Sequence, residues 1–250
     1  MRDLEIINSH DFFDIDSLVG AIQSKLDKYD SVLTHTLSLE QSNYLLLKLV
    51  DLLGAVSQED ITVPDSETFS YLHRVEVCKQ PIKDRYGFRP LSTTDLAIPC
   101  HTEDYFMPAP SDIVIFQCIR QDDQGGQSIL AYLESVLSYL DEEILNYLKM
   151  CEYPSYFGKV AIIEEDDYGR FQIRFNRGTL NKASTMTGLK LLPEYEAALY
   201  QLDLAVSKSQ ISFNLQPYDI WIVNNKKALH GRTALSKETD RLLKRVKLYV

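Results

Sequence analysis

The stretch Ile98-Pro99-Cys100-His101-Thr102-Glu103-Asp104-Tyr105 decides how this chain is read. Asp95 to Cys100 has the composition of a strand, and on an extended strand side chains alternate with period two. His101 and Glu103 are therefore expected on one face, with Asp104 turned away. Far downstream, Ala228-Leu229-His230-Gly231-Arg232 offers a second imidazole, with Gly231 leaving the backbone free to pass close to the site. Two imidazoles and one carboxylate form a facial set that leaves three adjacent positions of an octahedral Fe(II) open. An H-x-E tripeptide or a His before Gly is by itself commonly structural, and Asp104 competes with Glu103 as the carboxylate. The downstream context adds weight, because Arg241 follows His230 by 11 residues and Arg245 by 15. A planar guanidinium binds a carboxylate through two parallel hydrogen bonds and stays charged, which suits Arg241 to an acidic cosubstrate.

Around this motif the chain alternates between helical and extended patterns. Asp16 or Ser17 is expected to cap a helix with apolar positions Leu18, Val19, Ile22 and Leu26. A second helix is expected from Ser38, with Gln41 completing a capping box, to a stop at Gly54. Strands are predicted at Tyr71 to Val77, Asp95 to Cys100, Ile113 to Ile119, Asp219 to Val223 and Leu242 to Tyr249. Val160 to Ile163 and Phe171 to Phe175 flank Asp166-Asp167-Tyr168-Gly169, a hairpin signal, and Gln124-Gly125-Gly126 reads as a turn. Further helical patterns occupy about 130 to 150 and 193 to 207, the latter with Pro193 in its first turn.

No repeat or low-complexity linker interrupts the 250 residues. One domain over 1–250 is expected, with a helical N-terminal part at about 16–55 and a catalytic β core at about 68–250. Its class is mixed α and β with a mainly β core, a distorted double-stranded β-helix (jelly roll) with flanking helices. A net charge of −10 argues against nucleic acid as a partner. The chain lacks an apolar run long enough to span a membrane, and Met1 to Ile7 is too acidic for a secretory signal, so a cytoplasmic location is expected. Cys78, Cys100, Cys118 and Cys151 show no paired spacing and are read as free thiols.

These motifs together resemble the taurine dioxygenase and clavaminate synthase superfamily of Fe(II)/2-oxoglutarate oxygenases. The resemblance runs from His101-Thr102-Glu103-Asp104 through Gly125-Gly126-Gln127-Ser128 and Asp219-Ile220-Trp221-Ile222-Val223-Asn224-Asn225 to His230-Gly231-Arg232 and Arg241-Leu242-Leu243-Lys244-Arg245. It covers about residues 90 to 250, and His-Thr-Glu-Asp with a following Phe suggests the clavaminate synthase-like branch. Two departures stand out: Ser128 replaces a common Thr, and Tyr218 replaces the usual Gly before Asp219.

The resemblance implies that His101, Glu103 and His230 bind Fe(II), with Arg241 and Ser128 holding the distal carboxylate of 2-oxoglutarate. Arg245 matches a second arginine that meets an anionic group of the primary substrate. The implied chemistry is oxidation of an unactivated C–H bond with O2, giving succinate and CO2 together with a hydroxylated, desaturated or cyclised product. Glu103 speaks against halogenation, which needs that carboxylate replaced by a small residue. The branch points to a free or carrier-bound amino acid or derivative in specialised metabolism. Arg245, Arg174, Tyr105 and Phe106 are the candidate substrate contacts, and Glu164, Glu165, Asp166 and Asp167 the candidate partners for an amine. Oligomeric state is unreadable from sequence. The alternatives are a cupin-type metalloprotein without 2-oxoglutarate, an inactive relative, and an acidic interaction module using the chain's 15 Tyr.

Overall fold

Alternating burial along three strands sets the layers of this molecule. In the run Ile113-Val114-Ile115-Phe116, residues 113 and 115 join one apolar cluster while 114 and 116 join another. The same division separates Ile220 and Ile222 from Trp221 and Val223, and Val246 and Leu248 from Leu243. These strands are therefore buried on both faces. The computed structural model describes residues 2–56, 72–84, 87–166 and 168–250.

In chain order the elements are β1 (Glu5–Asn8), α1 (Ile15–Tyr29), β2 (Ser31–His35), α2 (Leu39–Leu53), β3 (Ala55–Val56), β4 (His73–Val75) and β5 (Ile98–His101). Next come β6 (Ile113–Arg120), β7 (Ser128–Tyr132), α3 (Leu133–Leu137), α4 (Glu142–Lys149), β8 (Tyr153–Ser155), β9 (Gly158–Val160), β10 (Ile163–Glu165) and β11 (Phe171–Ile173). The chain closes with α5 (Arg177–Thr187), α6 (Pro193–Ser209), β12 (Ile211–Phe213), β13 (Ile220–Asn224), β14 (Ala228–Arg232) and β15 (Leu242–Tyr249).

A seven-stranded sheet runs β1-β2-β13-β6-β15-β3, with β4 also pairing to β15, and a four-stranded sheet runs β12-β7-β14-β5. Phe116, Trp221 and Leu243 of the first sheet pack with Leu130, Tyr132 and Ala228 of the second, so the two sheets face each other. α1 and α2 cover the outer face of the larger sheet through Leu18, Ile22, Leu45 and Leu49. α3 to α6 cover the outer face of the smaller sheet, where Ala131 and Leu229 meet Leu148, Leu199 and Leu202. Helix layers thus enclose a two-sheet core, a mixed α and β architecture dominated by sheet. Among the described residues no helix is long and apolar enough to cross a membrane.

Several local expectations need adjustment. α1 starts earlier than expected: Asp14 is its cap and accepts from the Ser17 amide at 2.8 Å. Ser38 caps α2 as expected, although Gln41 Oε1 reaches the Leu37 amide rather than that of the cap residue. Residues 130–132, expected as helix, belong to β7, because Leu130 and Tyr132 point inward while Ala131 points outward. The N-terminal part is more than helical, since β1, β2 and β3 extend the larger sheet. The strand expected from Tyr71 is β4, with Tyr71 itself outside the described residues. The hairpin around Gly169 forms between β10 and β11, with Asp167 outside the described residues.

Candidate metal centre

β14 pairs with β5 so that His230 lies opposite His101. β5 ends at His101, and Glu103 sits in the turn that follows, so period-two alternation is not what brings the carboxylate to the imidazoles. Asp104 adopts φ 59, a left-handed conformation that folds the turn back. Asn225, buried at the end of β13, clamps this turn. Its Oδ1 accepts from the Glu103 amide at 2.8 Å, and its Nδ2 donates to the carbonyls of Glu103 and Ser111. On the other side the Thr102 amide donates to Phe175 O at 2.7 Å and Thr102 Oγ1 accepts from the Phe175 amide.

The result is a convergent donor set. One ligand atom from each of His101, Glu103 and His230 lies within 4.8 Å of the other two. The imidazole rings are 4.6 Å apart between centroids, and Glu103 Oε1 is 3.4 Å from His230 Nε2 and 3.7 Å from His101 Nε2. Because a carbonyl only accepts, the 2.9 Å contact between His101 Nδ1 and Pro99 O places the proton on Nδ1 and leaves the Nε2 lone pair facing Glu103. Burial pulls the His230 pKa down to about 4, so this imidazole is neutral, the form that ligates metal. Burial would raise the Glu103 pKa, but the Arg245 charge, above all, together with the adjoining histidines holds it well below the usual carboxylate range. The anionic, two-imidazole set fits a divalent ion, and its composition suits Fe(II).

Behind the carboxylate, Arg245 NH1 donates to Glu103 Oε1 at 2.7 Å. Asp104, expected to play an outer role, is buried and paired with the buried Lys247. Burial pushes both of these groups toward their neutral forms.

The donor set opens on a cavity of about 420 Å³ between the two sheets. Ser128, Arg241, Arg245 and Phe106 all line it, as do His101, Glu103 and His230. Arg241 and Arg232 are both buried, and burial lowers each to about 10, so they remain charged at neutral pH. Neither forms an ion pair among the described residues; Arg241 Nε donates to Gln121 Oε1 at 3.2 Å. A side chain at Gly126, which has φ 66, would meet Arg241 Cδ at 3.0 Å, so the glycine makes room for the guanidinium stem.

Arg174 and Tyr105 lie outside this cavity wall, contrary to their expected part in contacting substrate. Arg174 Nε donates to Tyr105 O at 2.7 Å, and its NH2 donates to Met107 O. The guanidinium is spent on holding the chain after Glu103. Tyr105 is 1% exposed and its hydroxyl donates to Pro154 O. Glu165 pairs with Lys149 and Asp166 with Arg170, and neither they nor Glu164 reach the cavity. Sequence reasoning gave no role to Asn225 or Lys247. For Asn225 the available signal was a second amide residue directly after the β13 pattern, where a turn needs its backbone groups satisfied.

Comparison with known proteins places the chain in a family. The chain is 26% identical over 176 residues to human gamma-butyrobetaine dioxygenase, a match covering 64% of this chain and 45% of that protein; the orangutan (Pongo abelii) protein matches equally. The chain thus spans less than half the length of these curated relatives. An asparagine oxygenase structure superposes with TM-score 0.72 at 15% identity, covering 94% of this chain and 78% of that one. The non-heme iron oxygenase OrfP, solved with Fe and alpha-ketoglutaric acid, superposes with TM-score 0.69 at 16% identity, covering 94% and 80%. The sequence model of the family described as "Taurine catabolism dioxygenase TauD, TfdA family" matches residues 51–247, which span most of the chain and include every residue of the centre, and the protein belongs to that family.

Proposed function

We propose that the protein is an Fe(II)/2-oxoglutarate-dependent oxygenase acting on an amino acid or amino-acid-derived small molecule, built on a single jelly-roll domain. The observation that carries this reading is a metal-competent His-Glu-His set sharing one cavity with Ser128 and an arginine, Arg241, that lacks an acidic partner among the described residues. His101, Glu103 and His230 would hold the iron, which supplies O2 activation when bound with its cosubstrate. Arg241 would take the distal carboxylate of 2-oxoglutarate through its guanidinium, and Ser128 would add a hydroxyl donor beside it. Phe116, Trp221 and Leu243 also line the cavity, and apolar walls that exclude water strengthen a charge–charge contact. Arg245 already meets Glu103 and lines the same cavity as Arg241, where it can orient an acidic group of the substrate. Retention of a carboxylate at Glu103 favours oxygenation over halogenation.

An amino-acid substrate is favoured by the fold likeness to structures described as asparagine oxygenase and as OrfP bound to (3S)-hydroxy-L-Arg. The oxygenase assignment itself is tested by adding 2-oxoglutarate anaerobically to Fe(II)-loaded protein. A weak visible charge-transfer band is expected, and it should vanish in His101→Ala. Arg241→Ala should weaken 2-oxoglutarate binding by about 30-fold or more, as loss of a buried charge-assisted contact costs ~2 kcal/mol or more, while iron affinity changes little. A folded, iron-loaded protein without the band would refute the assignment. An unchanged 2-oxoglutarate affinity in Arg241→Ala would move the cosubstrate pocket elsewhere.

A further inference from the structure

The two ends of the cavity differ in how their charge is balanced. Deep inside, Arg245 has Glu103 and Lys247 has Asp104. Arg241, with Arg232 beside it, is the end to which the proposed function assigns the distal carboxylate of 2-oxoglutarate. At the opening, Arg89, Arg177 and Lys182 line the wall against a single acid, Asp84. Arg177 is answered from outside the cavity by Glu196 and Asp203 on α6. Arg89 and Lys182 have no such answer. Arg89 NH2 donates to the neutral carbonyls of Cys78 and Thr93, and Lys182 Nζ lies 4.7 Å from the centroid of the Phe88 ring. Neither forms an ion pair among the described residues.

The same opening is faced by the first turn of α5, since Asn176, Gly178 and Thr179 also line the cavity. The helix start adds partial positive charge of the same sign as the two side chains. A cationic substrate side chain would enter against like charge, and a neutral one would leave Arg89 and Lys182 uncompensated in a partly enclosed wall. The protein as a whole carries −10, so this local excess of cations runs against the average of the surface.

We propose that the substrate of this oxygenase carries a second acidic group, a carboxylate or phosphate distal to the one oriented near iron, and that Lys182 and Arg89 bind it at the cavity opening. The proposal rests on the oxygenase reading given above. It distinguishes this chain from neighbours whose bound molecules are hydroxyasparagine or hydroxyarginine.

The test uses pairs of probes that differ only in charge. The 250-residue protein is loaded anaerobically with Fe(II) and 2-oxoglutarate, and formation of the charge-transfer band is checked first. No band overturns the oxygenase reading itself. With the band present, L-glutamate is titrated against L-glutamine, L-aspartate against L-asparagine, and O-phospho-L-serine against L-serine, with L-arginine as the cationic probe. Perturbation of the band gives the affinity. At least one acidic probe is expected to bind about tenfold or more tighter than its neutral partner and tighter than L-arginine, and the carboxylate and phosphate arms tell the two sources apart. Lys182→Glu, a substitution at a half-exposed helical position, is expected to bring that acid-to-neutral ratio to one or below. Equal binding within every pair, preference for L-arginine, no binding by any probe, or a ratio unmoved in Lys182→Glu would each overturn the proposal.

Discussion

Gly231, directly after the distal histidine, is the position where a single methyl group tests the geometry of the centre. A Cβ built there would lie 2.5 Å from Ile98 O, 3.0 Å from Cys100 N and 3.1 Å from Pro99 C. All three are backbone atoms of the strand that carries His101, so no side chain can rotate away. Ordinary contact begins at 3.4 Å, so β5 and β14 must separate by roughly 3.4 − 2.5 = 0.9 Å at this point. His230 and His101 are paired across the same two strands, and the shift falls on both imidazoles. Metal–ligand distances tolerate deviations of only about 0.2 Å, and overpacking a tight interior costs ~1–3 kcal/mol. Gly231→Ala is therefore expected to lower Fe(II) affinity by at least about tenfold and to lower the Tm by several degrees, measured by anaerobic Fe(II) titration and by thermal denaturation. Gly20→Ala is the control: it sits inside α1 with nothing within 4 Å of the added methyl, so it should stabilise by ~0.5–1 kcal/mol. If Gly231→Ala binds Fe(II) within threefold of the native chain and melts within about 1 °C of it, close approach of the two ligand strands is not what demands glycine there.

Two further predictions concern carboxylates. Burial would raise the Asp122 pKa, but hydrogen bonds from Thr239, from the Gln124 amide and from the Ser236 amide and hydroxyl hold it well below the carboxylate range. A depressed folded value means stability that is full above the unfolded value near ~4 and lost as pH falls through the folded one. Asp122→Asn should therefore cost ~1–2 kcal/mol at pH 7 by urea denaturation, with the difference shrinking below about pH 4; a gap constant with pH would contradict this. Arg245→Met removes the cation nearest Glu103, leaving a buried carboxylate uncompensated at ~3 kcal/mol in metal-free protein. Bound Fe(II) supplies that charge, so the metal-induced rise in Tm should be larger in Arg245→Met than in the native chain, and equal rises would refute the pairing.

The residues of the candidate metal centre could be picked out in the sequence, although the reason for their convergence could not. His101, Glu103 and His230 announce themselves by residue type, and Arg241, Ser128 and Arg245 by their order downstream. Strand alternation seemed to place Glu103 beside His101, yet β5 stops at His101 and a turn delivers the carboxylate. That turn depends on Asn225 and on the Asp104–Lys247 pair, partners more than 100 residues away in sequence, which no local pattern contains. β2 was missed for a related reason: Ser31 to Thr34 are buried on both faces between β1 and β13, so the strand lacks the polar–apolar alternation that marks a half-exposed one. α5 was not anticipated, although the side chain of its N-cap, Asn176, accepts from the Thr179 amide in ordinary capping fashion.

Tyr218 shows how a departure from a family pattern can be explained by backbone rather than by chemistry. It adopts φ 76, in the left-handed region where glycine is unstrained and a side chain costs ~1 kcal/mol or more. The chain tolerates tyrosine there because the backbone is held from both directions: the Tyr218 amide donates to Cys118 O at 2.7 Å, and its carbonyl accepts from Thr36 Oγ1 at 2.8 Å. Arg174 and Tyr105 teach the complementary lesson. Both were candidate substrate contacts, and both are committed to backbone carbonyls: Arg174 to those of Tyr105 and Met107, and Tyr105 to that of Pro154. A metal carboxylate on a turn needs its neighbours as scaffolding, because any freedom in residues 102–107 would be passed directly to the ligand oxygen. Other groups that line the cavity come from β15 and the start of α5, elements remote in sequence from the motif, and on β15 Arg245 and Lys247 also pair with Glu103 and Asp104 of the turn.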